Sequence, residues 1–212
     1  MAVYGPVIIN LSKRHDRLNK ITAQFDTYNL DYKICEAILN ETDGHTGCLA
    51  SHIKALEMKP EEAEAIWICE DDCLLEVNPD ELQLLIKEFM SSDAVGLCLG
   101  FKDLYSVPYN SRFRRTFGVI SGGCYLLKRS IYKSYLHLAK VSYESRVTGK
   151  ANPYEFYYYS LGLPERCVSM NFADRFWQII MQDNIWLIPM KHVARQYDSY
   201  SDIQKLRADP GY

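Results

Sequence analysis

Three consecutive carboxylates, Glu70, Asp71 and Asp72, follow directly on the apolar run Ala65-Ile66-Trp67-Ile68-Cys69. Acids at the end of a buried segment suit a hard divalent cation, which prefers oxygen ligands and takes the rest of its shell from water and a diphosphate. Such an ion neutralises charge developing on a departing phosphate. In an extended segment alternate residues share a side, so Glu70 and Asp72 are expected to point one way and Asp71 the other. A solvated acidic loop would carry the same three residues, so the neighbouring motifs have to decide. Lys13, Arg14 and Arg17 cluster near the amino end. There, guanidinium forks and free backbone N–H groups at a helix mouth could meet phosphate, although an ordinary solvated helix start reads alike. Gly47-Cys48-Leu49-Ala50-Ser51-His52 joins small residues to a hydroxyl and an imidazole; taken alone, His52 reads as a satisfied structural histidine. Ser121-Gly122-Gly123 permits close approach of backbone to a ligand or marks a bulge. Asp174 lies between Phe172 and Phe176, where burial could raise its pKa toward that of a usable base or a pair with Arg175 could hold it structurally. The aromatic run Tyr154 to Tyr159 could stack on sugar faces, but it reads as packing.

These groups need elements to hold them. Val7-Ile8-Ile9 reads as a first strand, followed by a helix on which Leu18, Ile21, Phe25 and Tyr28 share a face. Tyr32 to Cys35 reads as a second strand, Asn40 to Thr46 as a polar loop, and Leu49, Ile53 and Leu56 as the inner face of a helix closed by Pro60. The run Ala65 to Cys69, apolar on both faces, reads as a central strand, which places the acids at its carboxyl end, where open α/β sheets bind ligands. Asn78-Pro79-Asp80 opens a helix with Leu82, Leu85, Ile86 and Phe89 inward, and Ala94 to Leu99 reads as the next strand. Beyond this the rhythm weakens. Ser106 to Arg115 is polar and basic, Val119 to Leu127 is an interrupted strand, Ser142 to Asn152 reads as a loop, and Ile185 to Ile188 is a late strand. The fold class expected is α/β.

At 212 residues and 48% hydrophobic, the chain fits one domain with a substantial core. A net charge of −3 gives no global attraction to nucleic acid or anionic membrane, so the expected partner is a small molecule at a local site. Seven scattered cysteines, an odd set, argue against a disulfide framework and for a reducing, cytoplasmic compartment. Cys69 and Cys73 have ligand spacing, but no second pair completes a zinc site in the sequence, so no zinc is expected. No apolar run is long enough to span a bilayer. The domain is expected to cover residues 1–206, with 207–212 as a linker to a further part.

Taken together, these blocks resemble glycosyltransferase family 25, the lipopolysaccharide and collagen-type sugar transferases, in collinear order over nearly the whole chain. Ile8-Ile9-Asn10-Leu11 with Arg14, Asp16, Arg17 and Leu18 is similar to the family's "I-N-L-x-x-R-x-D-R". Gly47 to Lys54 is similar to its "G-x-x-x-S-H" helix start, and Glu70-Asp71-Asp72 to its "E-D-D". Gly123-Cys124-Tyr125-Leu126-Leu127 resembles its "A-Y-L-I" strand, Asp174 a family aspartate, and Pro189 to Ile203 its closing "P…Q…S-x-I". The resemblance implies a GT-A fold, with a single mixed, mostly parallel sheet flanked by helices, and a UDP-sugar donor held with Mn2+ or Mg2+. It places Ile9, Asn10, Leu11, Arg14, Arg17, Ser51, Glu70 and Asp71 around the nucleotide, and Gly122 and Gly123 at the donor sugar. Asp72 and Glu70 become metal ligands, with His192 where a late histidine often completes the shell. Asp174 becomes the base of an inverting enzyme; in a retaining relative it would have another role. Arg129-Ser130-Ile131 stands where the family often has Gly-Ala, and the middle of the chain is short, a departure near the donor-sugar and acceptor contacts. Small GT-A domains of large algal DNA viruses also resemble this compact form, which would place the chain in a host cytoplasm.

The expected function is transfer of a hexose from a UDP-sugar to a glycan hydroxyl. A metal-dependent phosphohydrolase would also want an acidic strand end, and a catalytically silent nucleotide-sugar or glycan-binding module would keep the same residues without turnover.

Overall fold

The computed structural model describes residues 2–162, 170–197, 199–201 and 206–208. The chain opens with the expected alternation. It runs β1 (Val3–Asn10), α1 (His15–Thr27), β2 (Lys33–Glu36), α2 (Gly44–Glu57) and β3 (Ala65–Glu70), then a short β4 (Cys73–Leu75) and α3 (Pro79–Ser91). Two long strands follow, β5 (Gly96–Pro108) and β6 (Phe113–Lys128), then α4 (Tyr132–Thr148), α5 (Glu155–Ser160), α6 (Trp177–Asp183) and β7 (Trp186–Pro189). The short strands β8 (Ala194–Gln196), β9 (Ser199–Ser201) and β10 (Leu206–Ala208) end the described chain.

Six strands form the central sheet in the order β2-β1-β3-β6-β5-β7. β1 is parallel to β2 and β3, and β5 is parallel to β7, whereas β6 runs opposite to its neighbours β3, β5 and β7. Strand alternation builds two core layers. Val7, Ile9, Ile66 and Ile68 face the side covered by α2, α4 and α6, with Leu49, Tyr135 and Trp177. Ile8, Ala65, Trp67 and Cys69 face the side covered by α1 and α3, with Phe25, Leu82 and Phe89. Because both faces of β3 are covered, its carboxyl end stays fixed relative to helices on either side.

The helix start at Asn78-Pro79 is as the sequence suggests, whereas α2 begins at Gly44, inside the loop expected over Asn40 to Thr46. Asp43 caps α2 by accepting from the His45 N–H at 3.1 Å, and Asn78 caps α3 by accepting from the Glu81 N–H at 2.9 Å, with Pro79 in the first turn. The loop expected over Ser142 to Asn152 is wrong for most of its length, because α4 continues to Thr148 and ends at Gly149, whose φ of +69° is the left-handed cap a glycine supplies. Its serines look solvated in sequence but face inward. Ser142 accepts from Asn152, and Ser145 donates to the Lys150 carbonyl and accepts from Asn171. The polar stretch Ser106 to Arg115 is the tip of the β5–β6 hairpin, where Asn110 accepts from the Arg112 and Phe113 N–H groups. β10 pairs antiparallel with β9. Residues 209–212, Cys167 and Ile203 lie outside the described residues. Among those described, no helix is long and apolar enough to cross a membrane.

Candidate active site

The three acids end β3 and turn into β4, and each is held by a different set of donors. Asp71 is buried. Its carboxylate accepts from the Asn10 side chain at 2.7 Å and from Arg17 at 2.8 Å. The same Arg17 nitrogen lies 3.2 Å from Asp72. Glu70 points to the other face of the sheet end, 3.1 Å from His52 Nε2. Gln196 spans the two outer acids, donating to Glu70 at 3.2 Å and Asp72 at 3.3 Å. Alternation thus pairs Glu70 with Asp72 through Gln196 and turns Asp71 toward β1, as the sequence suggests, while Arg17 reaches across because the strand ends at Glu70.

Behind Glu70 runs a buried polar chain. Tyr135 donates to the Tyr125 hydroxyl at 3.0 Å, and Tyr125 meets His52 Nδ1 at 2.9 Å. A carboxylate only accepts, so the His52 proton facing Glu70 sits on Nε2, and Nδ1 accepts the Tyr125 proton that Tyr135 leaves free. Taken alone in the sequence, His52 reads as a structural histidine; the structure places it directly against Glu70. Tyr125 and Gln196 fall in the blocks resembling "A-Y-L-I" and "P…Q…S-x-I", but the sequence marks neither as a site residue. Gln196 arrives because β8 pairs antiparallel with β4, opposite Cys73, and the Tyr197 N–H donates to the Asp72 carbonyl at 3.0 Å.

Charge in this cluster is unbalanced. Burial pushes Glu70 up, but the hydrogen bond from His52, with Arg17 and Gln196, holds it below its ordinary value. Burial raises Asp71 despite Arg17 and Asn10. Asp72 is pushed up to about 7 by burial and the Glu70 charge, which outweigh Arg17. Asp71 and Asp72 therefore share the Arg17 guanidinium, with Glu70 beside them on His52 and Gln196.

The other expected residues are placed as follows. Ile9 and Asn10 end β1 beside Asp71 and Leu11 follows them. Arg14 forks onto Asp16 at 2.9 and 2.8 Å, at the mouth of α1. The Ser51 hydroxyl donates to the Gly47 carbonyl at 2.7 Å and accepts from the Ile38 N–H at 2.8 Å, tying α2 to the loop after β2. Gly47 permits that approach, since a Cβ there would lie 2.6 Å from the Ile38 carbonyl. Gly122 faces Trp177, where a Cβ would come within 1.9 Å of the ring, so its hydrogen is a packing requirement of α6. Gly123 faces Gln196 and with it the acid pair. Asp174 accepts from the Ser121 N–H at 2.8 Å, at a residue with φ of +59°, and lies 3.5 Å from Arg175. The Cys48 thiol is pushed up by burial and then by the charges of Glu70, Asp174 and Asp72. His192 is exposed between β7 and β8, stacked on Phe101 at 4.9 Å, and joins no group of three close metal-ligand atoms among the described residues.

No protein-family model matches the sequence, and no curated protein matches it. Solved structures do resemble the fold. A197 from STIV aligns over 99% of this chain and 95% of its own at 11% identity, with a TM-score of 0.50. A glycosyltransferase involved in the glycosylation of the major capsid of PBCV-1 aligns over 90% and 93% at 15% identity and a TM-score of 0.44. GalNAc-T7 with UDP, GalNAc and Mn2+ aligns over 92% of this chain and 43% of its own at 10% identity and a TM-score of 0.47. The class these observations define is an α/β domain built on a mixed, mostly parallel sheet flanked by helices, a fold similar to that of A197 from STIV.

Proposed function

We propose that this chain is a metal-dependent glycosyltransferase, related to family 25, which moves a hexose from a UDP-sugar to a hydroxyl of a glycan. The observation that carries this reading is the charge imbalance at the end of β3, where Asp71 and Asp72 share Arg17 and Glu70 is linked to Asp72 through Gln196. The donor set fits a hard cation, because the ligand atoms are carboxylate oxygens and Asp72, raised to about 7 by burial and then by the Glu70 charge, would gain from a positive ion beside it. Asp72 and Glu70 would hold Mn2+ or Mg2+, with His192 as a third candidate. When bound, such an ion stabilises the charge of a leaving diphosphate.

The chain's own residues supply the rest. Arg17 and Arg14, at the mouth of α1, face the phosphates, while Ile9, Asn10 and Leu11 form the floor for the nucleotide beside Asp71. Ser51 shapes that floor by fixing α2 against the β2 loop. Gly123 leaves room for the donor sugar next to Gln196, and Gly122 keeps Ser121 and Gly123 in place by packing on Trp177. Asp174 takes the proton of the acceptor hydroxyl as that oxygen attacks the anomeric carbon and the bond to UDP breaks. The Ser121 N–H orients one of its oxygens for this role. An algal-virus origin and a cytosolic place of action belong to the same proposal.

The test is a panel of UDP-sugars assayed for UDP release with and without Mn2+. At least one sugar should give Mn2+-dependent release of intact UDP, abolished in Asp72→Ala. Phosphate release from simple esters would favour a phosphohydrolase, and nucleotide binding without turnover under every acceptor would favour a silent binding module. Failure of UDP and Mn2+ to bind at all by calorimetry would sink the reading.

A further inference from the structure

On the sheet face opposite Glu70 and His52, three thiols converge beneath the acidic turn. The Sγ atoms of Cys69, Cys73 and Cys124 all lie within 4.8 Å of one another, and the residues are 0%, 3% and 1% exposed. Topology produces this cluster. Cys69 is the cross-strand partner of Cys124 in the antiparallel β3–β6 ladder, and the Glu70–Asp72 turn brings Cys73 back at the start of β4. The sequence shows only the Cys69–Cys73 spacing; the third thiol comes from β6.

Two further observations point to a ligand. The Trp67 indole N–H donates to Cys124 Sγ at 3.2 Å, the kind of outer hydrogen bond that orients and stabilises a coordinating thiolate. A small cleft lined by Cys73, Gly123, Cys124 and Gln196 lies against two of the thiols. Thiolates bound to one zinc at about 2.3 Å stand roughly 4 Å apart, so closing this trio around an ion needs a movement of at most about 1 Å.

We propose that Cys69, Cys73 and Cys124 bind one thiophilic d10 cation of the Zn2+, Cd2+ or Cu+ class. Sulfur donors select such ions over the hard cations that suit the acidic turn, so the two sites on either side of β3 differ in metal preference. Binding displaces the thiol protons to solvent and leaves the cysteine oxidation state unchanged. The bound ion would tie β3, β4 and β6 together at the base of the Glu70–Asp72 turn. This inference does not depend on the proposed glycosyl transfer.

The experiment uses the full chain, reduced, stripped with chelator and kept anaerobic, titrated with Cd2+ and read by thiolate-to-cadmium charge-transfer absorption and cadmium NMR. One Cd2+ per folded chain is expected, with a sulfur-rich NMR shift, displaced by Zn2+, retained in Cys98→Ser and Cys48→Ser and lost in Cys124→Ser and Cys73→Ser. Circular dichroism shows whether each variant is folded. If Cys124→Ser does not fold, Cys73→Ser and the wild-type NMR shift decide. Absence of the absorption band at one equivalent in the wild type overturns the proposal. So does a band that survives in folded Cys73→Ser, or one lost in Cys48→Ser, which would assign the ion to the Cys48, His52 and Glu70 group instead.

Discussion

The acids at the end of β3 and the acid at position 174 are held in opposite ways. Glu70 is met by His52 and Gln196, Asp71 by Asn10 and Arg17, and Asp72 by Arg17 and Gln196. Asp174 accepts one backbone N–H and has Arg175 at 3.5 Å, with its side chain 30% exposed. A carboxylate locked by several donors on a rigid strand end is suited to holding charge in a fixed place. One held by a single donor and open to solvent is suited to exchanging a proton with an incoming hydroxyl. The same functional group thus takes different work according to how much of its hydrogen-bonding capacity is already used.

That division can be broken by mutation. Asp174→Asn keeps the bond to the Ser121 N–H but cannot take a proton, so kcat should fall by about 10²–10⁴-fold, the usual contribution of general base catalysis, with UDP and Mn2+ affinity unchanged by calorimetry. If UDP affinity falls in step with kcat, the two regions are not divided as described. Asp72→Ala should do the reverse and remove Mn2+-dependent UDP binding. Loss of several kcal/mol of metal-mediated stabilisation corresponds to roughly 100-fold or more in kcat/KM. Wild-type UDP affinity in the presence of Mn2+ would refute its place as a ligand. His52→Ala withdraws the donor that orients Glu70, and an effect of about 10–100-fold on metal affinity is expected for such a supporting group. His52→Gln, which retains a donor near the Nε2 position, should recover part of it. An equal loss in both variants would mean that His52 serves packing alone.

The sequence exposes part of the acid cluster and hides the rest, for physical reasons. β1, α1 and β3 are local units whose apolar periodicity survives in the sequence, so Asn10, Arg17 and the acids could be placed at strand and helix ends. Gln196 joins Glu70 from 126 positions away. Only the pairing of two three-residue strands, β4 and β8, brings it there, and so short a pairing leaves no periodic signal. The α4 segment misled for a related reason. Ser142 and Ser145 are polar yet inward-facing because Asn152 and Asn171 satisfy them, so hydropathy alone marks a loop. Cys124 is legible as a strand residue, but its meeting with Cys69 depends on the register of β6, which the sequence does not set out.

The smallest expected effect tests whether Asp72 is raised by its surroundings. Its ordinary value is 3.8 and its folded value about 7, so between about pH 4 and 7 the folded chain keeps a proton that the unfolded chain has released. Stability contributed by this group is therefore present below about pH 4 and is lost as pH rises through 7. Asp71 acts in the same direction and Glu70 in the opposite one, so the informative quantity is the difference between wild type and Asp72→Asn. Measured by urea midpoints in metal-free buffer, Asp72→Asn should gain stability relative to wild type between pH 4 and 7, then hold that advantage. Mn2+ at pH 7.5 or so should narrow it by stabilising the wild type, since an ion that binds only the folded state adds stability with its concentration. A parallel pair of pH curves would mean that Asp72 sits near its ordinary value, and the acid cluster would then resemble Asp174 more than it differs from it.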